Sequence, residues 1–344
     1  MRNLLIIKLR YIGDVLLATP VLRALRERCP EARLTVSVNR GTEAILAWHP
    51  DVQEVMVVEK GGLTDQLRFL REARRRRFDA VIDLTDGDRA AILAGLSGAP
   101  LRIGFNEEHR WRGLLYTAIA PTLPGTVHRV DHDLQALLPL GIEPKADRPR
   151  LYTSPEDDER AARLLTEVGL GGAGAPLVML QPGARYWFKA WPPERFAELA
   201  DRLTDAFGCR VVIGGSESER PLAEDIRRQA RSAPTVLAGQ TPLLTYAAVL
   251  KRCALFVGND NGPMHMAAAL DVPVVALFGP SDPQEWGPRG PRVHVLYKGL
   301  DCRRCFHPTC ERGEESCMKR ISVDEVCAAA GTLLESRERM GERV

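Results

Sequence analysis

The chain has 344 residues, 45% hydrophobic and 27% charged, with a formal net charge of +2. That length suits two domains with full cores, and the balanced charge argues against a dedicated nucleic-acid binder. The first apolar run, Leu4 to Leu9, contains Lys8 and is too short for a signal sequence or a membrane span, which predicts a cytoplasmic protein.

In chain order, Leu4 to Leu9 reads as a strand buried on both faces, followed by the turn Arg10-Tyr11-Ile12-Gly13-Asp14. Val15 to Arg28 reads as an amphipathic helix in which Pro20 implies a kink or a late start. Strands are predicted at Leu34–Val38, Val52–Val58 and Ala80–Leu84, with a short helix from Ala44 to Trp48 and a longer one from Thr64 to Arg77. This alternation predicts a parallel sheet covered by helices on both faces. Asp14, at the carboxyl end of the first strand, is either the N-cap of the following helix or a general base facing a cleft. Asp86-Gly87-Asp88 follows the fourth strand and reads as turn chemistry rather than a metal motif. Arg74 to Arg77 reads as a solvated helix end or as a contact for anionic lipid or an acidic acceptor. The loop EEHRWRG adds His109, Arg110 and Arg112 around Trp111.

Gly141 to Pro155 is rich in Pro and charge and reads as an interdomain connection. A helix over Glu156–Val168 follows, with Ser154 as its cap and Pro155 at the first helical position. Gly169, Gly171 and Gly174 spell G-x-G-x-x-G, but after a helix and before a strand, so they mark a helix stop rather than a dinucleotide fingerprint. A second strand–turn–helix series runs through Leu177–Leu180, the turn around Gly183 and Arg185, and a helix over Pro193–Phe207. The strand Cys209–Ile213 ends near Glu217 and Glu219, either of which is placed to accept from ribose hydroxyls or simply to begin a helix.

The stretch Leu255 to Pro283, LFVGNDNGPMHMAAALDVPVVALFGPSDP, reads as strand, Gly-rich turn, helix, strand. Its helix start offers free N–H groups and a partial positive charge suited to a phosphate, with Asp260, Asn261, Gly262 and His265 beside it. Cys302, Cys305, Cys310 and Cys317 cluster near the end, as ligands of a structural zinc or as free, redox-labile thiols. A last helix from Ser322 to about Glu338 closes the fold.

The segment GNDNGPMHMAAALDVPVVALFGPSDP resembles the nucleotide-binding signature of the lipopolysaccharide heptosyltransferases, glycosyltransferase family 9, with Asp260, Gly262, His265 and GPSDP in register. KLRYIGDVLLATPVLRALR and PGARYWFKAWPPERF match two further segments of that family. The resemblance implies an α/β fold of GT-B type, two Rossmann-like domains facing a central cleft. We place them at residues 1–170, for the acceptor, and 171–344, for the ADP-sugar, with the C-terminal helix returning to the first domain. It implies inverting transfer of heptose from ADP-L-glycero-D-manno-heptose to the lipopolysaccharide inner core. The GNDNGPMH segment and the cysteine loop resemble the second-transfer members. Asp14 takes the role of catalytic base, Lys189 that of the donor-phosphate ligand assisted by Arg185, and Glu219 that of the ribose ligand. Lys8, Arg10 and Arg110 become candidates for the acceptor, lipid A–Kdo bearing heptose. No cofactor is implied for catalysis, and the expected setting is the inner face of the cytoplasmic membrane, as a peripheral protein. Transfer of another nucleotide-activated sugar to lipopolysaccharide or another glycan is the nearest alternative. A nucleotide-sugar epimerase or dehydrogenase would need G-x-G-x-x-G after the first strand, where this chain has Lys-Leu-Arg-Tyr-Ile-Gly-Asp. A non-catalytic nucleotide-sugar sensor would not need both Asp14 and Lys189.

Overall fold

The computed structural model describes residues 1–59, 62–172, 174–302, 305 and 309–339. The chain folds as two compact units, Met1–Tyr152 and Thr153–Val344. The first holds β1 (Asn3–Lys8), β2 (Arg33–Asn39), β3 (Glu54–Val58), β4 (Ala80–Asp83), β5 (Leu101–Gly104) and β6 (Ala118–Ile119). Its helices are α1 (Ile12–Leu17), α2 (Thr19–Arg28), α3 (Leu63–Arg76), α4 (Asp88–Leu96) and α5 (Arg129–Leu134). The second holds β7 (Leu177–Gln181), β8 (Arg210–Ile213), β9 (Thr235–Val236), β10 (Leu255–Asn259), β11 (Val274–Phe278) and β12 (Val293–Tyr297). Its helices are α6 (Pro155–Glu167), α7 (Pro193–Phe207), α8 (Arg220–Gln229), α9 (Leu243–Lys251), α10 (Gly262–Ala269), α11 (Pro283–Trp286) and α12 (Val323–Arg339).

Each sheet is parallel, in the orders β3-β2-β1-β4-β5-β6 and β12-β11-β10-β7-β8-β9. Numbered within its own domain, the second order is the first one reversed, so both domains share the doubly wound arrangement of Rossmann folds. The reason lies in the strands. Leu4 to Ile7 and Leu255 to Val257 are fully buried, which only a sheet covered on both faces allows. In such sheets the ligand crevice opens where strand order reverses, at the carboxyl ends of β1 and β4 in one domain and of β7 and β10 in the other.

Several local expectations meet their physical reasons here. Pro20 does not kink one long helix. It separates two, with α1 ending at Leu17 and Pro20 in the first turn of α2, where its missing N–H costs nothing. Ser154 caps α6 in a reciprocal capping box with Asp157. Gly169 stops α6 at φ 76°, a left-handed position that favours glycine.

Two boundaries differ from expectation. The domains divide at Tyr152/Thr153 rather than at residue 170, because α6 packs on α9 inside the second unit. The C-terminal helix also belongs to the second domain rather than returning to the first. Val326, Ala329, Ala330 and Leu334 of α12 join the core formed by Phe196, Leu203 and Leu255. Among the described residues no helix is long and apolar enough to cross a membrane.

Candidate active site

In the first domain the site grows from the end of β1. Asp14 is not the helix cap. The N-cap is Tyr11, no side chain caps that helix, and Asp14 stands in the first turn of α1, half-buried. Its carboxyl is therefore not spent on starting the helix. Beneath it, Lys8 is fully buried, and its Nζ donates to Asp133 Oδ2 at 2.5 Å and to the Leu84 carbonyl at 2.8 Å. Arg129 Nε lies 3.1 Å from the same Asp133 carboxylate. Burial opposes ionisation of Asp133, but the charges of Arg129 and Lys8 overcome it and hold its pKa at about 2. Burial lowers the pKa of Lys8, and the charges of Asp133 and, less strongly, Asp14 oppose that shift. Lys8, expected at the acceptor, is thus engaged inside the domain, because a cation in a strand buried on both faces must find a carboxylate.

The turn after β4 is tied to the same place. Thr85 Oγ1 accepts from the Leu9 N–H at 2.8 Å, and Arg10 donates through Nε and Nη2 to the Thr85 carbonyl at 3.2 and 3.1 Å. Arg112 bonds Asp86 at 2.7 Å and Arg110 bonds Asp88 at 3.2 Å, so guanidinium groups occupy the Asp-Gly-Asp turn. Arg10 and Arg110 remain on the surface of that turn. Sequence reasoning missed Asp83, the last residue of β4. It is buried, accepts from Tyr116 Oη at 2.7 Å and from the Thr85 N–H at 2.8 Å, and burial raises its pKa to about 6. The signal was a charged residue ending an otherwise apolar strand.

In the second domain Asn261 and Glu219 meet Gly183, and Lys189 pairs with Asp260, the neighbour of Asn261. Lys189 Nζ bonds Asp260 Oδ2 at 2.5 Å, and Ser281 Oγ donates to the same oxygen at 2.5 Å. Glu219 Oε2 accepts from Ser216 N–H at 2.7 Å, while its Oε1 presses on Gly183, where an added Cβ would meet it at 1.7 Å. Gly262 opens α10 and His265 is buried in its first turns. Arg185 is exposed and lies over the Tyr186 ring at 5.4 Å.

Asn261, expected at the donor, holds the turn together. Its Oδ1 accepts from the Met264 N–H at 3.0 Å and its Nδ2 donates to the Gly183 carbonyl at 2.8 Å. It is a cap that also fastens the facing turn. Its neighbour Asn259, not singled out in the sequence, is fully buried. It accepts from Trp191 N–H at 3.1 Å and donates to the Pro182 carbonyl at 2.7 Å. These two amides clamp the turn after β10 onto the turn after β7. That clamp fixes the lysine, the carboxylates and the free N–H groups of α10 at the switch point, an arrangement able to bind a phosphorylated nucleoside.

The cysteine loop lies against the same Trp187–Glu194 segment, around a cavity of about 990 Å³. Cys302 Sγ accepts from Arg312 Nε at 2.7 Å. Burial, then the neighbouring thiols Cys310 and Cys302, push the Cys305 thiol up, and burial does the same to Cys317. Among the described residues no group of three or more His, Cys, Asp or Glu is arranged to hold a metal.

Comparison with known proteins agrees with this geometry. The family model of glycosyltransferase family 9 (heptosyltransferase) matches residues 66–315. The chain is 31% identical to lipopolysaccharide heptosyltransferase 3 of Escherichia coli K12, covering 95% of this chain and 96% of that protein. It is 28% identical to lipopolysaccharide heptosyltransferase 2 of Salmonella typhimurium, covering 86% of this chain and 87% of that one. The crystal structure of a family 9 glycosyl transferase from Veillonella parvula superposes with a TM-score of 0.86 at 27% identity, covering 97% of each chain. The two Rossmann-like domains are therefore those of a GT-B enzyme, and the chain belongs to glycosyltransferase family 9, the heptosyltransferases.

Proposed function

We propose that this protein transfers heptose from an ADP-heptose donor to a lipopolysaccharide inner-core acceptor that already carries heptose. Family membership supports heptosyl transfer. The relatives named as heptosyltransferases 2 and 3 support an acceptor bearing one heptose or more. The observation that carries the donor half is the Lys189–Asp260 pair at the carboxyl ends of β7 and β10. Asp260 holds the Lys189 ammonium in place. A diphosphate arriving at the α10 start would compete for that cation.

Asp14 accepts the proton of an acceptor hydroxyl. The oxygen attacks the anomeric carbon of heptose, the bond from that carbon to the phosphate oxygen breaks, and ADP leaves with the electron pair. One displacement inverts the anomeric configuration. Lys189 and the N–H groups of α10 stabilise the charge growing on the diphosphate. Glu219, beside Gly183, takes the ribose hydroxyls. Arg10 and Arg110 serve the acidic acceptor, and Lys8 serves as a buried counter-charge below Asp14 instead of touching the acceptor.

The test is Asp14→Asn with two readouts. ADP release should fall by about a hundredfold to ten-thousandfold, the usual worth of a positioned base, while ADP binding stays at the wild-type level. Wild-type turnover in the variant, or a product of retained anomeric configuration, would overturn the mechanism.

A further inference from the structure

Helix α1 starts on a residue that does nothing to start it. Its N-cap is Tyr11, which makes no side-chain cap hydrogen bond. Serine, threonine, asparagine and aspartate accept from a backbone N–H at that position, and tyrosine is not among the residues that do. Nor does Tyr11 serve the core, because it is 50% exposed. A side chain that neither caps its helix nor fills the interior breaks a local rule, and such breaks mark functional positions.

What Tyr11 flanks is Asp14. Ile12 opens α1, so Asp14 is the third helical residue counted from the Tyr11 cap, with only Ile12 and the buried Gly13 between them. Side chains at these two positions stand on the same side of a helix, which is what lets them exchange hydrogen bonds in a capping box. The backbone under the Tyr11 ring is fixed from both directions. Its carbonyl accepts from the Val15 N–H at 3.0 Å. The preceding residue, Arg10, is fastened to the Thr85 carbonyl, and the Leu9 N–H to Thr85 Oγ1. A half-exposed aromatic ring on a fixed turn thus stands beside the proposed base.

A pyranose has an apolar face of C–H groups and a rim of hydroxyls. Tyrosine offers an apolar body to match that face. A sugar lying on the ring turns a rim hydroxyl toward the neighbouring carboxylate. The same ring face disfavours an anionic sugar, because a carboxylate set against it gives up water and gains no partner. The geometry points to Tyr11 as a specificity-determining residue of the transfer: its ring carries the neutral sugar whose hydroxyl gives its proton to Asp14, and it selects against an acidic sugar in that place. This rests on the proposed heptosyl transfer for the identity of the reaction. It adds the chemical ground of the acceptor preference, since heptose is neutral and Kdo carries a carboxylate.

The experiment is ADP release by wild type, Tyr11→Phe and Tyr11→Ser, with ADP-heptose and two deacylated, soluble acceptors, one ending in Kdo and one ending in heptose. Tyr11→Ser should raise KM for the heptose-ending acceptor by about tenfold, as expected for the loss of an aromatic face. Its preference for that acceptor over the Kdo-ending one should shrink by a similar factor, while ADP affinity read by calorimetry stays at the wild-type value. Tyr11→Phe keeps the ring and should keep both KM and preference. Because serine is a preferred N-cap, Tyr11→Ser should melt at or above the wild-type temperature. A purely structural Tyr11 gives the reverse, a lower melting point with unchanged KM and preference, and that result overturns the proposal. Tyr11→Phe that behaves like Tyr11→Ser would move the effect to the hydroxyl and overturn the ring platform. Wild type that is inactive on both acceptors overturns the transfer reading and this proposal together. Wild type that is active on the heptose-ending acceptor, with Tyr11→Ser indistinguishable from it, overturns this proposal alone.

Discussion

At the scale of single residues, the site is built on charges taken out of water. Lys8 and Asp133 are a buried pair, and removing Asp133 leaves the Lys8 ammonium without its carboxylate, whereas removing Lys8 leaves Asp133 with Arg129. Asp133→Asn should therefore cost about 3–5 kcal/mol of stability, measured by denaturant unfolding, and a loss below about 1 kcal/mol would mean the pair is as weak as a surface one. Asp83 gives a pH signature. Burial raises its folded pKa to about 6 from an ordinary value of 3.8. The folded protein therefore binds this proton more tightly than the unfolded chain does. Its stabilising contribution is complete below pH 3.8 and is lost as pH rises through about 6, a change of about 3 kcal/mol. Asp83→Asn, locked in the neutral form, should lack that loss. The stability difference between wild type and variant should move between those pH values, and a flat difference would contradict the assignment. The sequence showed Asp83 and Lys8 as charges in apolar strands. It could not show their partners, because Lys8 meets Asp133 across 125 residues and Asp83 meets Tyr116 across 33.

At the scale of elements, the donor turn depends on what fits between two loops. Gly183 is tolerated because it has no Cβ to strike Glu219. Gly183→Ala should displace that carboxylate, raising KM for the donor by about tenfold, near 1.4 kcal/mol, with kcat little changed. A variant with wild-type donor KM would remove Glu219 from the donor site. Most elements were legible in the sequence from periodicity and punctuation. The strands at Leu4 and Leu255 are continuous apolar runs, α6 announces itself with Ser154-Pro155, and α7 runs from Pro193 to Phe207 as the pattern predicts. The roles of Asn259 and Asn261 were not legible. Each reads locally as a turn former, and its second bond reaches across 77 or 78 residues to Pro182 or Gly183. Nor was the home of α12, because an amphipathic helix shows that it buries a face without showing which core receives it.

At the scale of the whole molecule, one topology is used twice. Both sheets reverse their strand order between the first and fourth strands of the domain, and in each domain the candidate residues follow those two strands. In the first domain they are Asp14 after β1 and the Asp83–Asp88 turn after β4. In the second they are Gly183 and Lys189 after β7 and Asp260 after β10. The family resemblance rests on these same turns, which is why motif order revealed the enzyme class while leaving the heptose step open.

The most direct test of that central claim is ADP release by the purified chain with ADP-heptose and a graded series of acceptors: lipid A–Kdo with no heptose, with one and with two. Turnover is expected on an acceptor that already carries heptose, with little on the bare one. Turnover only on the bare acceptor would contradict it, and so would silence on all three together with turnover of a different nucleotide sugar.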